Sequence, residues 1–323
     1  MTPVELSRTV LRAVCRAVEQ GELRVTVPER VVVTEPGPGG CGDYATNVAL
    51  RLARPAGQPA RRVAEVLRAY LVEAEGVRDV VVTGPGFLNI SLGGQADPAV
   101  ALVREIRERG AAYGHSDALA GQVVVLRVPY EARAEAIADA VVRIVATQGG
   151  RAEVEHGEPV NLRPVPAPED PAPLGADAAQ WALLRPAPHD RPRITADHLV
   201  QRESNPLFRV RYAHARVRSV ARNAGRLGFA AEPGPVEARD LLIPLADHPR
   251  ILTAAATHRA PDRLARHLVT VADAVLPFVP TVLPRGEEKP SAAHRARLAL
   301  AEAAGTVLAG GLSLLGIDAP EHL

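Results

Sequence analysis

The sequence predicts an α+β domain over residues 1–118, a short α/β segment with a proline-rich linker over 119–192, and an all-α helical bundle over 193–323. Three observations carry this. Helical and extended patterns alternate in the first third, prolines crowd the stretch from 157 to 192, and after 193 only the 3.6-residue period of helices remains.

In the first domain the pattern predicts a helix from Val4 to Glu19, a strand in "RVVVTEP", and a helix opening between Asp43 and Asn47. The glycine-rich "GPGGCGDYATN" lacks the Gly-Lys-Ser/Thr ending of a phosphate loop and reads better as a turn into that helix, capped by Asp43 or Thr46. A helix from Arg61 to Ala74 follows. "VRDVVVTGPGFLNISL" then reads as two short strands around a Gly-Pro-Gly turn, and a helix from Pro98 to Gly110 closes the domain. The middle segment reads as one strand-helix-strand unit, "GQVVVLRVPY", "EARAEAIADAVVRIVATQGG" and "RAEVEH", before the linker with a short helix around Trp181. In the bundle, Leu264, Leu268, Val271, Val275 and Phe278 form one stripe, and Leu298, Ala301, Leu308, Leu312 and Leu315 another; Pro261, Pro284 and Pro290 mark the joints.

Composition limits the function. Hydrophobic residues make up 47% of the 323 and charged residues 23%, the balance of a folded chain, with a net charge of only +1. Cys15 and Cys41 are too few for a disulfide framework or a thiolate zinc site, and neither a metal nor a cofactor is expected. The opening "MTPVELSRTVLRAVCRAVEQ" lacks the apolar core of a signal peptide, and no apolar run approaches the ~18 residues of a membrane span; the expected location is cytoplasmic. His115 with Asp117 and His189 with Asp190 are imaginable acid-base pairs, but turn and linker residues surround both and neither has a third partner at readable spacing.

One segment departs from the near-neutral average. Residues 205–228, "NPLFRVRYAHARVRSVARNAGRLG", hold six arginines and no acid. On a helical wheel Val210, Ala213, Val217, Val220, Ala224 and Leu227 form the inward stripe with Leu207 at its edge, while Arg211, Arg218, Arg222 and Arg226 lie opposite with Phe208 and Ser219, and Tyr212 on the flank. From Arg211 to Arg226 such a helix advances about 22 Å, enough to meet several phosphates. Arginines beside aromatics suit both the backbone and the unstacked bases of a nucleic acid. The alternative is a solvated face whose arginines pair with acids elsewhere.

"NPLFRVRYAHARVRS" closely resembles the first long helix of the anticodon-binding bundle of arginyl-tRNA synthetases. The resemblance continues through "LLIPLADHPRIL", "RLARHLVTVADAVLPF" and the closing "LGIDAPEHL", and at the front "GDYATNVALRLAR" and "GPGFLNISL" are similar to signature stretches of the additional N-terminal domain. It covers about three quarters of the chain. It implies that the bundle, of the DALR type, holds the tRNA anticodon arm through Phe208, Arg211, Tyr212, Arg218, Arg222 and Arg226, with Tyr212 either stacking on a base or half-buried at a helix seam. It also implies that the N-terminal domain faces the tRNA D-loop through Phe87 and Asn89. For Phe87 a core position is the stronger alternative; Asn89 has little use in a core.

The middle departs from the family. Class I catalytic domains carry a His-x-Gly-His signature and often a Lys-Met-Ser-Lys-type loop. Here no two of the ten histidines are three residues apart, Met1 is the only methionine, and the only lysine, Lys289, lies in the bundle. "RVPYEARAEAIADAV" stands where the signature loop would be, and "LGADAAQWALL" resembles the Asp-Ala-Leu-Arg motif with Ala179 and Gln180 in place of Leu-Arg. The expectation is a degenerate remnant of the catalytic domain and a truncated paralog without aminoacylation activity, similar to the stand-alone anticodon-binding relatives of high-GC bacteria. Its implied partner is tRNA, arginine tRNA first. The alternatives are a protein-interaction module docking the full synthetase, and a partner of an enzyme that uses arginyl-tRNA.

Overall fold

A computed structural model describes residues 3–34, 36, 41–92 and 97–323. The chain forms two units, Met1–Pro98 and Ala99–Leu323. In the first, α1 (Pro3–Glu19), α2 (Val48–Ala56) and α3 (Ala60–Val72) pack with an antiparallel sheet of order β1-β3-β2, where β1 is Tyr44–Thr46, β2 Val77–Thr83 and β3 Phe87–Leu92. The apolar stripe of α3, Val63, Ala64, Leu67 and Leu71, meets Leu6, Val10 and Val14 of α1 and Val80, Leu88 and Ile90 of the sheet in one core.

Two expectations fail here for identifiable reasons. Among the described residues of "RVVVTEP" there is no strand: the Ser7 and Thr46 hydroxyls donate to the carbonyls of Val31 (2.5 Å) and Val32 (2.8 Å), so side chains take the place of a neighbouring strand, and of those residues only Thr34 bridges to Ala45. The stretch 44–46 is strand rather than helix, pairing with β3, and the helix begins after it. Asp43 does not cap; its carboxylate accepts the Leu92 N–H at 2.8 Å. Thr46 accepts the Val48 N–H at 3.3 Å, a partial cap. Residues 37–40 of the glycine-rich stretch lie outside the described residues.

The second unit begins with α4 (Pro98–Arg109). The division therefore falls at Pro98 and not at 118, because Val103 and Ile106 of this helix are buried in the core of the second unit. β4 (Val123–Val128), α5 (Ala132–Ala146) and β5 (Arg151–His156) form a strand-helix-strand unit with a parallel pair, as parallel strands require a crossover. Asn161 lies beside β4, accepting the Arg127 N–H (2.8 Å) and donating to the Val125 carbonyl (3.0 Å) through its side-chain amide.

Arg133, in the first turn of α5, is wholly buried at 0% exposure. Its five N–H donors go to the carbonyls of Leu183 (3.1 Å), Val165 (2.6 Å), Asp190 (2.7 Å), Pro186 (3.1 Å) and Ala187 (2.9 Å). It thus ties the proline-rich stretch and the end of α6 (Ala176–Leu184) to α5. Glu131, the N-cap of α5, accepts from the N–H groups of Arg133, Ala134 and Ala167.

Four long helices complete the unit: α7 (Pro206–Arg226), α8 (Arg239–Thr257), α9 (Pro261–Phe278) and α10 (Ala292–Leu314). The inward stripes are buried as their spacing predicts, with two exceptions. Leu227 is exposed because α7 ends at Arg226, and Phe278, the last residue of α9, is half-buried. α10 and α9 approach closely at Gly311, where a Cβ would stand 2.4 Å from Leu268 Cδ2. Among the described residues no helix is long and apolar enough to cross a membrane.

A ring stack is buried in this unit. Tyr113 stacks on His248 (5.8 Å between centroids) and His248 on His267 (5.3 Å), while the Tyr113 hydroxyl donates to the Leu245 carbonyl. Burial pushes His248 down to about 3, helped by His267 and His115, and pushes His267 down to about 4, with Asp247 opposing and Arg250 assisting. Both folded values lie below the ~6.5 of an unfolded histidine. Protons therefore favour the unfolded chain, and stability present above about pH 6.5 is lost as pH falls through about 4. The urea midpoint of the second unit is expected to stay level above about pH 7 and to drop steadily between about 6.5 and 4. A level midpoint down to about pH 5 would remove this account.

Candidate nucleic-acid interface

The Asn-Pro start sets the arginine-rich helix. Asn205 Oδ1 accepts the N–H groups of Leu207 (3.0 Å) and Phe208 (3.4 Å), its Nδ2 donates to the carbonyls of His198 and Val200, and Pro206 fills the first helical position. Leu207, Val210, Ala213, Val217, Val220 and Ala224 turn inward, joined by His214 and Ala215.

The outer face is less bare than its sequence. Arg211 pairs with Asp177 of α6 at 3.4 Å, each side chain about a quarter exposed. Arg218 reaches Glu321 Oε1 through Nη2 (2.6 Å) and Nε (3.2 Å); Arg222 donates to the Glu321 carbonyl (3.4 Å) and contacts His322 Nδ1 (3.2 Å). Arg218 holds the Glu321 carboxyl below the usual carboxylate range. His214 Nδ1 lies 3.0 Å from the Pro320 carbonyl, and burial lowers its pKa, so it donates as the neutral ring. The segment after α10 therefore lies along α7 and supplies the acid that the arginine row lacks.

What remains outward is specific. Among the described residues Arg226 has a hydrogen bond only to Asn223 (3.4 Å), and Arg216, off the arginine row on the helical wheel, is exposed with no acidic partner. Phe208 and Tyr212 stack at 5.4 Å with 15° between planes, and Tyr212 is 37% exposed. This aromatic pair and the cations of α7 can meet bases and phosphates together. Arg216 was recoverable from the sequence only by counting it as an exposed cation beside the stripe.

In the first unit the two residues assigned to a D-loop contact exchange environments. Phe87, expected in the core, is 40% exposed at the end of the β2–β3 turn. Gly86 precedes it with φ +139°, and a Cβ there would stand 2.9 Å from the Ala60 carbonyl, so glycine is required. Asn89, expected outside, is 2% exposed: its amide donates to Thr83 Oγ1 (2.6 Å) and the Val81 carbonyl (3.4 Å) across the sheet. A core use for the amide exists after all, and of the two only Phe87 offers a face to a base.

Among the described residues no group of three or more His, Cys, Asp or Glu side chains could hold a metal ion. His189 and Asp190 lie 3.8 Å apart on the surface.

Two family models match the chain: the arginyl tRNA synthetase N-terminal domain over residues 6–92 and the DALR anticodon binding domain over 210–323. An arginine–tRNA ligase of Frankia alni is 24% identical in an alignment of 554 positions that spans all of both chains, of which this chain has 323 residues to fill. An arginine–tRNA ligase of Renibacterium salmoninarum is 48% identical over 127 residues, 38% of this chain and 23% of that one. Thermus thermophilus arginyl-tRNA synthetase covers both chains fully at 15% identity with a TM-score of 0.48. These two matched regions give the chain a stretch similar to the arginyl tRNA synthetase N-terminal domain at one end and a stretch similar to the DALR anticodon binding domain at the other.

Proposed function

We propose that the chain is a truncated, non-catalytic paralog that binds tRNA, arginine tRNA first, without charging it. The observation that carries tRNA binding is the outer face of α7, a helix that bears the stacked Phe208 and Tyr212 in its N-terminal half and Arg216, Arg218, Arg222 and Arg226 further along, most of it within the region matched as a DALR anticodon binding domain. The strand-helix-strand unit at 123–156 is read as what is left of a class I nucleotide fold. Its two parallel strands provide no crevice of the six-stranded kind. Losing the histidines and lysines that meet the triphosphate removes stabilisation of the transition state.

Competition between arginine tRNA and unrelated tRNAs at ~150 mM salt tests the reading, since binding through charge alone would favour none of them. Pyrophosphate exchange with arginine and ATP tests the second half; detectable exchange would overturn the loss of catalysis.

Glu321 has a defined place in this scheme, because a phosphate approaching Arg218 and Arg222 must displace it. An exposed pair of this kind is weak and easily displaced. Glu321→Gln is therefore expected to tighten tRNA binding about 2–5-fold, read by anisotropy at fixed salt. Weaker binding would mean that Glu321 orients the arginines instead of competing for them.

The pairing of Arg211, Arg218 and Arg222 within the chain favours one second reading, a module that docks a protein such as the full synthetase or an arginyl-tRNA-using enzyme. Substitution of the α7 arginines with no loss of tRNA affinity would support it.

A further inference from the structure

A cavity of about 460 Å³ in the second unit lies between the end of α6, the stretch 185–198 and the start of α7, separate from the α7 face. Arginines dominate its wall: Arg185, Arg191, Arg193 and Arg266. Arg266 is shared with the buried Asp262. Among the described residues the other three guanidinium groups have no hydrogen bond or ion pair. Two aspartates also line it, but Asp197 accepts from the Thr195 hydroxyl (3.3 Å) and Asp190 lies beside His189, so the cations outnumber the acids two to one.

A second, independent observation is a donor. Trp181 forms part of the wall at 0% exposure, and its indole N–H meets no acceptor among the described residues. A buried indole N–H ordinarily finds a partner. Ser204, Asn205 and Pro206 bring the positive end of the 21-residue α7 to the same cavity. The negative end of α6 is offset, since Leu183 and the two carbonyls at 186 and 187 accept from Arg133.

We propose that this cavity is a phosphate-binding site, in which Arg185, Arg191 and Arg193 neutralise the anion with help from Arg266 and Trp181 Nε1 donates a hydrogen bond to it. Arginine forks and an indole donor fit the oxygens of a phosphoester, whether in a polynucleotide backbone or in a free phosphate compound.

Trp181 is the only tryptophan in the chain and forms part of the wall, so under native conditions its emission follows this cavity without interference from another indole. Inorganic phosphate, titrated into the full chain at constant ionic strength against chloride, is expected to change that emission saturably. Arg185→Gln and Arg193→Gln should each weaken binding at least about tenfold, the cost of one lost charge-assisted hydrogen bond. Both side chains are exposed, so an unchanged urea midpoint without phosphate shows that the variants fold. Trp181→Phe should reduce the rise in urea midpoint that phosphate gives the native chain. A single-stranded oligoribonucleotide without terminal phosphates and a nucleoside monophosphate separate the sources: the tighter of the two identifies backbone diester or free monoester. No saturable change with any of these probes, or arginine variants that bind as the native chain does, would overturn the site. Substitutions on the outer face of α7 leave this titration untouched, so this site and the tRNA reading fail separately.

Discussion

Replacing Arg133 by methionine is expected to destabilise the second unit by about 3–5 kcal/mol, among the largest effects of any single substitution in this chain. Methionine keeps much of the apolar stem and removes all five donors. The carbonyls of Leu183, Val165, Asp190, Pro186 and Ala187 then lose the wholly buried side chain that joins them. Each unpaired carbonyl costs about 1–3 kcal/mol if water does not reach it, and some relaxation is expected, hence a total well below the sum. Glu131 and the C-terminal end of α6 also lose the cation that faces them. Arg133→Lys keeps the charge but offers three donors from a point instead of five in a plane, so a loss of about 2 kcal/mol is expected. Urea unfolding followed by Trp181 emission measures both, since that side chain sits on the helix whose end Arg133 holds. A methionine variant within about 0.5 kcal/mol of the native chain would show that the proline-rich stretch holds itself in place.

Arg133 also marks the limit of what the sequence discloses. In "EARAEAIADAV" it reads as a polar position in the first turn of a helix, because nothing local shows that the chain returns 32 to 57 residues later to present five carbonyls. Features written in short range were legible: the Asn205 cap with Pro206, the Gly-Pro-Gly turn of the β2–β3 hairpin, the strand-helix-strand unit and the stripes of α9 and α10. Features that depend on distant partners were not. Val31 and Val32 have strand propensity, yet side-chain hydroxyls from Ser7 and Thr46 claim their carbonyls. Asn89 is polar, yet Thr83 across the sheet gives its amide a buried use. The acid opposite Arg218 lies 103 residues along the chain, beyond any reading of the helix alone.

That last point decides which arginines to remove when the α7 face is tested. Arg216, Arg218 and Arg222 changed together to glutamine are expected to weaken tRNA binding about tenfold to a hundredfold, and to lower the slope of log affinity against log salt by about 2, near 0.7 for each phosphate contact on a single strand. Arg211→Gln should do neither, because that guanidinium is committed to Asp177 between α7 and α6; its loss is expected in stability, at about 1 kcal/mol. Tyr212→Ala isolates the other half of the interface. Stacking on a base contributes about 1–3 kcal/mol and releases no counterions, so affinity should fall while the salt slope stays unchanged. The arginine and tyrosine variants thus differ in kind as well as in size. A face that merely carries charge would respond to the arginines and ignore Tyr212, and a face that docks a protein would leave tRNA binding indifferent to both. Only loss in both series, with the slope moving in one and not in the other, fits an aromatic pair and the α7 arginines reading the same strand.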